Sequence, residues 1–259
     1  MAATADVGVA RRVVTTTPSN RLYLRLAYAY AAVGVIGFGP TFWIPLLTGH
    51  LHQPAILYVH AAVFYSWLGL FVVQAHLAGT GQIRRHRALG VFGVSLATAM
   101  CFVGTAAALH VIKAGDAAGI GEAVRAFSVV PLTGILFFAV LFAIAVLNVS
   151  RVDVHRRLML IATVSLLNAA VGRLFILALG AAPPVPGTPP PPVFVTIVPG
   201  LIADLLLVPA LWHDYRRLGR VHRVFWIGGA ALVASQLLRV PISRMPAWDA
   251  FADWLTRLV

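Results

Sequence analysis

Cysteine, lysine and glutamate each occur once in this chain of 259 residues. The single cysteine, Cys101, lies inside an apolar run, which excludes an internal disulfide and a thiolate metal cluster. The single lysine, Lys113, falls between apolar runs and not within the last one. That excludes a retinal protein, whose chromophore needs a lysine within that span. Charge of either sign is scarce, at 11% of residues, against roughly 25% in an average soluble domain. A chain so poor in charge cannot coat a globular surface with polar groups, so lipid must be part of its solvent. Residues 1–20 are polar and threonine-rich and lack an apolar core, so they are not a secretory signal. Nucleophile-elbow and zincin motifs are missing, and Ser66 has no base at helical spacing, which disfavours a hydrolase.

What is present in quantity is apolar surface. Hydrophobic residues make up 60% of the chain, and its mean hydropathy is +0.88. A membrane helix needs about 20 apolar residues to cross ~30 Å of hydrocarbon. Seven stretches qualify, at 22–47, 54–77, 87–112, 127–149, 156–180, 193–213 and 222–242. Residues 181–192 carry seven prolines and separate the fifth span from the sixth as an extended polyproline segment.

The formal charge is +12, and all but one of the 20 basic residues are arginine. A basic excess can signal nucleic acid. Here the arginines sit in short loops between apolar runs with no interleaved aromatics, so the expected partner is the lipid bilayer and no nucleic acid. Arg11, Arg12 and Arg21 precede the first span. Arg84, Arg85 and Arg87 fall between the second and third, and Arg151, Arg156 and Arg157 between the fourth and fifth. Arg216, Arg217, Arg220 and Arg223 fall between the sixth and seventh, while the alternate loops hold only Lys113 and Arg125. The positive-inside rule then places the N-terminus in the cytoplasm and the C-terminus outside. The expected fold is all-α, a polytopic bundle of about seven transmembrane helices. It comprises a cytoplasmic tail (1–20), a membrane domain (21–243) and a short interfacial helix (244–259). In that last segment Asp249, Asp253, Thr256 and Arg257 share one stripe, and Trp248, Phe251, Leu255 and Val259 the other.

A His-Arg dipeptide opens the third, fifth and seventh spans, at His86-Arg87, His155-Arg156 and His222-Arg223. It predicts helix hairpins closed at the arginine-rich face: spans two and three, four and five, six and seven.

Polar groups within hydrocarbon are costly, at least ~2.5 kcal/mol for a charge at mid-span, so each is a functional candidate. His60, Trp67 and Gln74 recur at seven-residue intervals on one face of the second span, with Phe64 and Phe71 beside them. That face should point into the bundle, as a ligand or cofactor wall or as a hydrogen-bonding seam. Arg173, Gln236 and Arg239 form a second set. Counted at about 1.5 Å per residue, Arg173 stands ~27 Å from His155, Arg239 ~25 Å from His222 and His60 ~24 Å from His76. The three share a depth, and two arginines near a histidine suit a carboxylate, a phosphate or a haem propionate, unless they snorkel to headgroups. Asp204 is the sole carboxylate deep in a span. Asn168 and Arg173 are its expected partners, in a proton relay or a structural pair, and Pro199-Gly200 and Pro209 predict a kink around it. A third set, His86, His155, His213 and His222, with His76, gathers at the arginine-rich end near Asp153 and Asp214. Imidazole suits iron, copper or zinc, so haem or a transition metal is the candidate cofactor. The competing reading is interfacial anchoring.

The stretches GFGPTFW (37–43), HAAVFYSWLGLFVVQAHL (60–77), RHRALG (85–90), HRRLMLIAT (155–163), GRVHRVFWIGG (219–229), and SQLLR followed by PAWDAFADWL resemble an uncharacterised family of bacterial multi-pass membrane proteins. The HRRLM segment is also similar to one in small membrane proteins linked to terminal-oxidase assembly. The resemblance implies an inner-membrane location and leaves the chemistry open. Three functions remain in play: a cofactor-binding protein (haem, quinone or metal), a carrier or receptor for a small anionic or amphipathic ligand, and a scaffold without chemistry.

Overall fold

The computed structural model describes residues 18–180 and 187–258. Arg11, Arg12, the first seventeen residues of the tail, Val259 and residues 181–186 of the proline segment lie outside them. The described residues are all-helical, with no strand. Six helical segments are long and apolar enough to cross a membrane, and a bent first pair makes seven. The chain is a multi-pass integral membrane protein.

The segments follow the apolar runs closely. They are α1 (Pro18–Gly37) continued by α2 (Ile44–Leu47), α3 (Ala55–Gly79), α4 (Ile83–Ala117) and α5 (Gly121–Leu147). Next come α6 (Val152–Val164) with α7 (Asn168–Ala178), α8 (Ile197–Asp204) with α9 (Val208–Leu218), α10 (Arg223–Ser243) and α11 (Pro246–Thr256). The three expected hairpins close through residues 80–82, 148–151 and 219–222. Two of these turns use glycine where the backbone goes left-handed, Gly81 at φ +75° and Gly219 at φ +68°. His222 then caps α10, its ring accepting from the Val224 N–H at 3.2 Å.

Aromatic side chains fill the centre. Tyr30 of α1 stacks on Phe71 of α3 at 6.1 Å, and Trp67 meets Phe138 and Phe142 of α5 edge-on at 5.0 and 5.5 Å. The outside is apolar as well, with Val91, Phe102, Leu136 and Leu147 exposed. In water such a surface would aggregate; facing lipid it costs nothing.

Three of the seven spans are broken. The first bends by 47° between α1 and the segment that ends at Leu47, where Gly39–Trp43 winds as a π-helix. Pro40 and Pro45 each remove a backbone donor here. The fifth span breaks at residues 165–167, where tighter bonds such as Leu167 N–H to the Val164 carbonyl (2.9 Å) replace the α pattern. The Ser165 hydroxyl donates to the Ala162 carbonyl at 2.8 Å and competes with the helical ladder. The sixth span tightens to 3-10 at Leu205–Leu207, ahead of Pro209. Tyr30 reaches across from α1 and donates to the Leu206 carbonyl at 3.5 Å. Broken helices survive at membrane depth only where neighbouring groups satisfy the freed backbone.

Two sequence-based expectations change at the end opposite the arginine-rich turns. Lys113 and Arg125 are not loop residues, because α4 and α5 run several residues past their apolar windows. The overshoot brings Arg125 against both Asp116 and Asp249. The acidic stripe of α11 therefore faces the protein in part: Asp249 lies 2.7 Å from Arg125, and Ala252 and Thr256 are buried. The Trp248 indole donates to the Arg125 carbonyl at 3.0 Å. This pairing is half-exposed, so Arg125→Gln should cost about 1 kcal/mol or less, and less still in high salt. SDS titration of the detergent-purified protein at two salt concentrations checks it.

Candidate functional site

The breaks gather the polar residues. Asn168 opens α7 just after its break, Asp204 closes α8 just before its own, and Gln236 and Arg239 lie one turn apart on α10. Gln236 and Arg239 are both 3% exposed. The Gln236 amide donates to one Asp204 oxygen at 3.1 Å. Arg239 donates through Nε to the Thr133 hydroxyl of α5 at 2.9 Å, and Thr133 in turn donates to the Val129 carbonyl at 2.5 Å. Gly200 makes room for this convergence. A Cβ there would stand 2.9 Å from Gln236 Oε1 and 3.2 Å from Asn168 Nδ2.

Three atoms around Gly200 are buried and have no protein partner: Asp204 Oδ1, Gln236 Oε1 and Asn168 Nδ2. They come from three separate elements and comprise two acceptors and a donor. Buried polar atoms without partners are rare and destabilising in a settled core. The cluster therefore presents unused hydrogen-bonding capacity to a polar group lodged among α7, α8 and α10.

Arg173 belongs to a second cluster, on the other side of α7. Its guanidinium turns back along the helix, donates to the Ala169 carbonyl at 3.1 Å and lies 4.2 Å over the Phe38 ring. It does not snorkel outward. Its charge reaches Tyr65 and His60. Tyr65 packs against Phe38, Phe42 and Trp43 at 6.2, 6.1 and 4.7 Å, so the GFGPTFW bend and α3 together form an aromatic box. His60 stacks on Phe64 at 4.2 Å, and its Nδ1 is buried without a partner.

The expected residue sets thus regroup. Asp204 pairs with Gln236 instead of Asn168 or Arg173, because α7 points Arg173 toward Phe38. Arg173 and Arg239 do not share one pocket; α7 and α8 stand between their partners. Of the second-span face, Trp67 is core, and Gln74 donates to the His86 carbonyl at 3.1 Å as a seam between α3 and α4. Its Oε1 is buried and unpartnered. Of the three, His60 is the one near Arg173. Thr133, Tyr65 and Phe38 are members that sequence periodicity did not single out.

No protein-family model, curated protein or solved structure matches the chain.

The arginine-rich end is organised differently from the expected cluster of imidazoles. His86 and His155 do meet, with ring centroids 6.5 Å apart and planes near perpendicular. Each anchors its Nδ1 on a carbonyl of the preceding helix, Gln74 at 3.3 Å and Ala145 at 2.8 Å. His222 departs from that pattern: with its Nδ1 accepting from Val224, its Nε2 donates to Asp153 at 3.1 Å. His213 leaves Nε2 buried and unpartnered. Among the described residues, no three histidine, cysteine or acidic side chains are grouped to hold a metal ion. The four histidines are therefore a pair and two separate residues. Between them lies an ion pair that the sequence reading did not assign. Arg157 and Asp214 form two hydrogen bonds, 2.7 and 2.5 Å, with both side chains 2% exposed.

Proposed function

We propose that this integral membrane protein is a carrier or receptor of the bacterial inner membrane, its N-terminus cytoplasmic, that binds a small anionic or amphipathic ligand between its helices. One observation carries the reading. The short helix α7 begins at a break and offers Asn168 to the Gly200–Gln236 cluster on one side and Arg173 to the aromatic box on the other. Broken membrane helices place polar groups at mid-depth, where substrates of transporters are held. Each cluster holds one arginine, Arg239 beside Gln236 and Arg173 over Phe38, and a guanidinium favours an anion. The Phe38, Phe42, Trp43 and Tyr65 rings supply an apolar wall beside that charge.

The probes are small carboxylates of rising chain length, from acetate through benzoate to decanoate, added to detergent-purified protein in a thermal-unfolding assay. Saturation at about a hundredfold excess over Kd stabilises the folded state by ~2.7 kcal/mol. At least one carboxylate should raise the midpoint of the wild type, and Arg239→Gln or Gln236→Ala should remove that rise. Failure of every carboxylate to move the wild-type midpoint sinks the reading.

A second reading has its own support in the His86–His155 pair. With both Nδ1 atoms engaged by backbone carbonyls, both Nε2 atoms are the available ligands, as when a carbonyl holds the far nitrogen of a metal-bound imidazole. This reading makes the protein a binder of haem or a transition metal. A colourless, metal-free preparation that stays so after reconstitution with haemin or copper eliminates it.

A further inference from the structure

Two adjoining clefts open at the arginine-rich end, outside both clusters above. The larger, about 600 Å³, is bordered by Arg156, Arg157, Arg217 and Arg220, with Asp153 and Asp214. The smaller, about 410 Å³, shares Leu218, Arg220 and His222 with it and continues along Val221 and Trp226. One groove thus runs from a basic floor to an apolar, aromatic rim.

The basic part is built, not merely decorated. Both carboxylates already have partners within the groove: Asp214 in buried Arg157, and Asp153 in His222. Four guanidinium groups face two already engaged carboxylates, so the floor keeps a positive excess. Arg156 is held against the Tyr23 ring at 4.8 Å. Arg217 and Arg220 are exposed, and among the described residues neither makes a hydrogen bond or ion pair to protein. Arg220 stands in a turn pinned on both sides, by left-handed Gly219 and by the His222 cap. Beside them Trp212, Tyr215 and Trp226 are 59, 54 and 66% exposed. Exposed tryptophan and tyrosine next to arginine mark the depth at which headgroups meet acyl chains.

We infer that this groove binds a phosphate oxyanion, and that its occupant is the headgroup of an anionic phospholipid. Arg217 and Arg220 hold the phosphate oxygens, on the floor ordered by Arg157–Asp214, while glycerol and the first acyl methylenes lie along Leu218, Val221 and Trp226. Guanidinium suits phosphate because its planar fork donates two hydrogen bonds in parallel. Basic pockets between membrane helices on the cytoplasmic side are suited to such headgroups. The apolar rim favours the lipid over the free ion, since inorganic phosphate would leave Val221 and Trp226 unused.

The test uses the full chain in detergent and three soluble probes: dihexanoyl phosphatidylglycerol, dihexanoyl phosphatidylcholine and inorganic phosphate. Tryptophan fluorescence reads binding, with Trp226 as reporter. Phosphatidylglycerol should bind, and the double variant Arg217→Gln, Arg220→Gln should bind it roughly 30-fold more weakly at low salt, at about 1 kcal/mol per arginine. Both arginines are exposed, so the variant should unfold at the wild-type SDS concentration, which separates lost binding from lost fold. Binding of inorganic phosphate as tight as that of phosphatidylglycerol, and lost in the same variant, keeps the oxyanion site and assigns it to a soluble phosphate. Equal affinity for phosphatidylcholine and phosphatidylglycerol, or an unweakened double variant, overturns the inference.

Discussion

Asp214→Ala should destabilise the protein by about 3–5 kcal/mol, the largest effect expected of any single substitution considered. The cause is less the attraction lost than the charge left behind. Arg157 is 2% exposed and held by Asp214 through Nε and one terminal nitrogen. Its other terminal nitrogen donates to the Asp153 carbonyl at 2.6 Å, and the Phe225 ring lies 5.9 Å away. Without Asp214 the guanidinium has one backbone carbonyl and a ring face to offset its desolvation. Arg157→Ala should cost a similar amount by stranding the carboxylate. The double variant Arg157→Met, Asp214→Leu should recover most of the loss, because apolar side chains of similar volume replace a buried pair at little net cost. SDS titrations of these variants and of the double alanine Arg157→Ala, Asp214→Ala, which closes the thermodynamic cycle, check this. A double alanine variant as unstable as the sum of the singles would mean zero coupling between the two side chains and would overturn the stranded-charge account.

That ion pair also shows where sequence reading stopped. Arg156 and Arg157 are neighbours in a basic turn, and topology alone accounts for both. Nothing in the pattern says which one turns inward. Yet in a chain with 8 acidic residues, Asp153 and Asp214 inside arginine-rich turns were a usable sign of pairing. The hairpins, by contrast, follow directly from apolar length and arginine placement, since both reflect the bilayer and not the details of packing. The His-Arg marker proves partly regular: His86 and His155 play equivalent roles in two hairpins, whereas His222 exchanges that role for a cap and a carboxylate.

The breaks divide in the same way. Pro199-Gly200 and Pro209 announced the irregular sixth span, because proline removes a donor and glycine removes a side chain. The break at residues 165–167 carries neither. It depends on Ser165, whose hydroxyl bonds the Ala162 carbonyl in a run of otherwise ordinary helix formers, and on tertiary packing that holds Leu167 and Ala170 in the core. In the sequence Asn168 reads only as a partner for Asp204. Its place at the start of a new helix, beside Gly200, emerges only when α7, α8 and α10 are assembled.

Gly37 and Gly39 lie two residues apart in the GFGPTFW bend and should respond to alanine in opposite ways. A Cβ on Gly37 would stand 2.5 Å from the Ala170 carbonyl oxygen and 2.7 Å from its Cβ. Those atoms belong to the backbone and first side-chain carbon of α7, so no rotamer change can relieve the contact. Gly37→Ala must push α1 away from α7, at about 1–3 kcal/mol for overpacking of this kind. The consequence extends past stability. Ala170 is two residues from Asn168 and three from Arg173, so a displaced α7 moves a member of each polar cluster at once. Around Gly39 nothing lies within 4 Å of the added carbon, and its φ is not left-handed. Gly39→Ala should therefore be neutral or stabilise by up to about 1 kcal/mol, through the reduced freedom of the unfolded chain. SDS titration of both variants, paired with the carboxylate-induced midpoint shift, separates the two effects. Gly37→Ala should lose both stability and the shift, and Gly39→Ala should keep both. Equal behaviour of the two variants would mean that the close approach of α1 to α7 does not govern the position of the polar clusters.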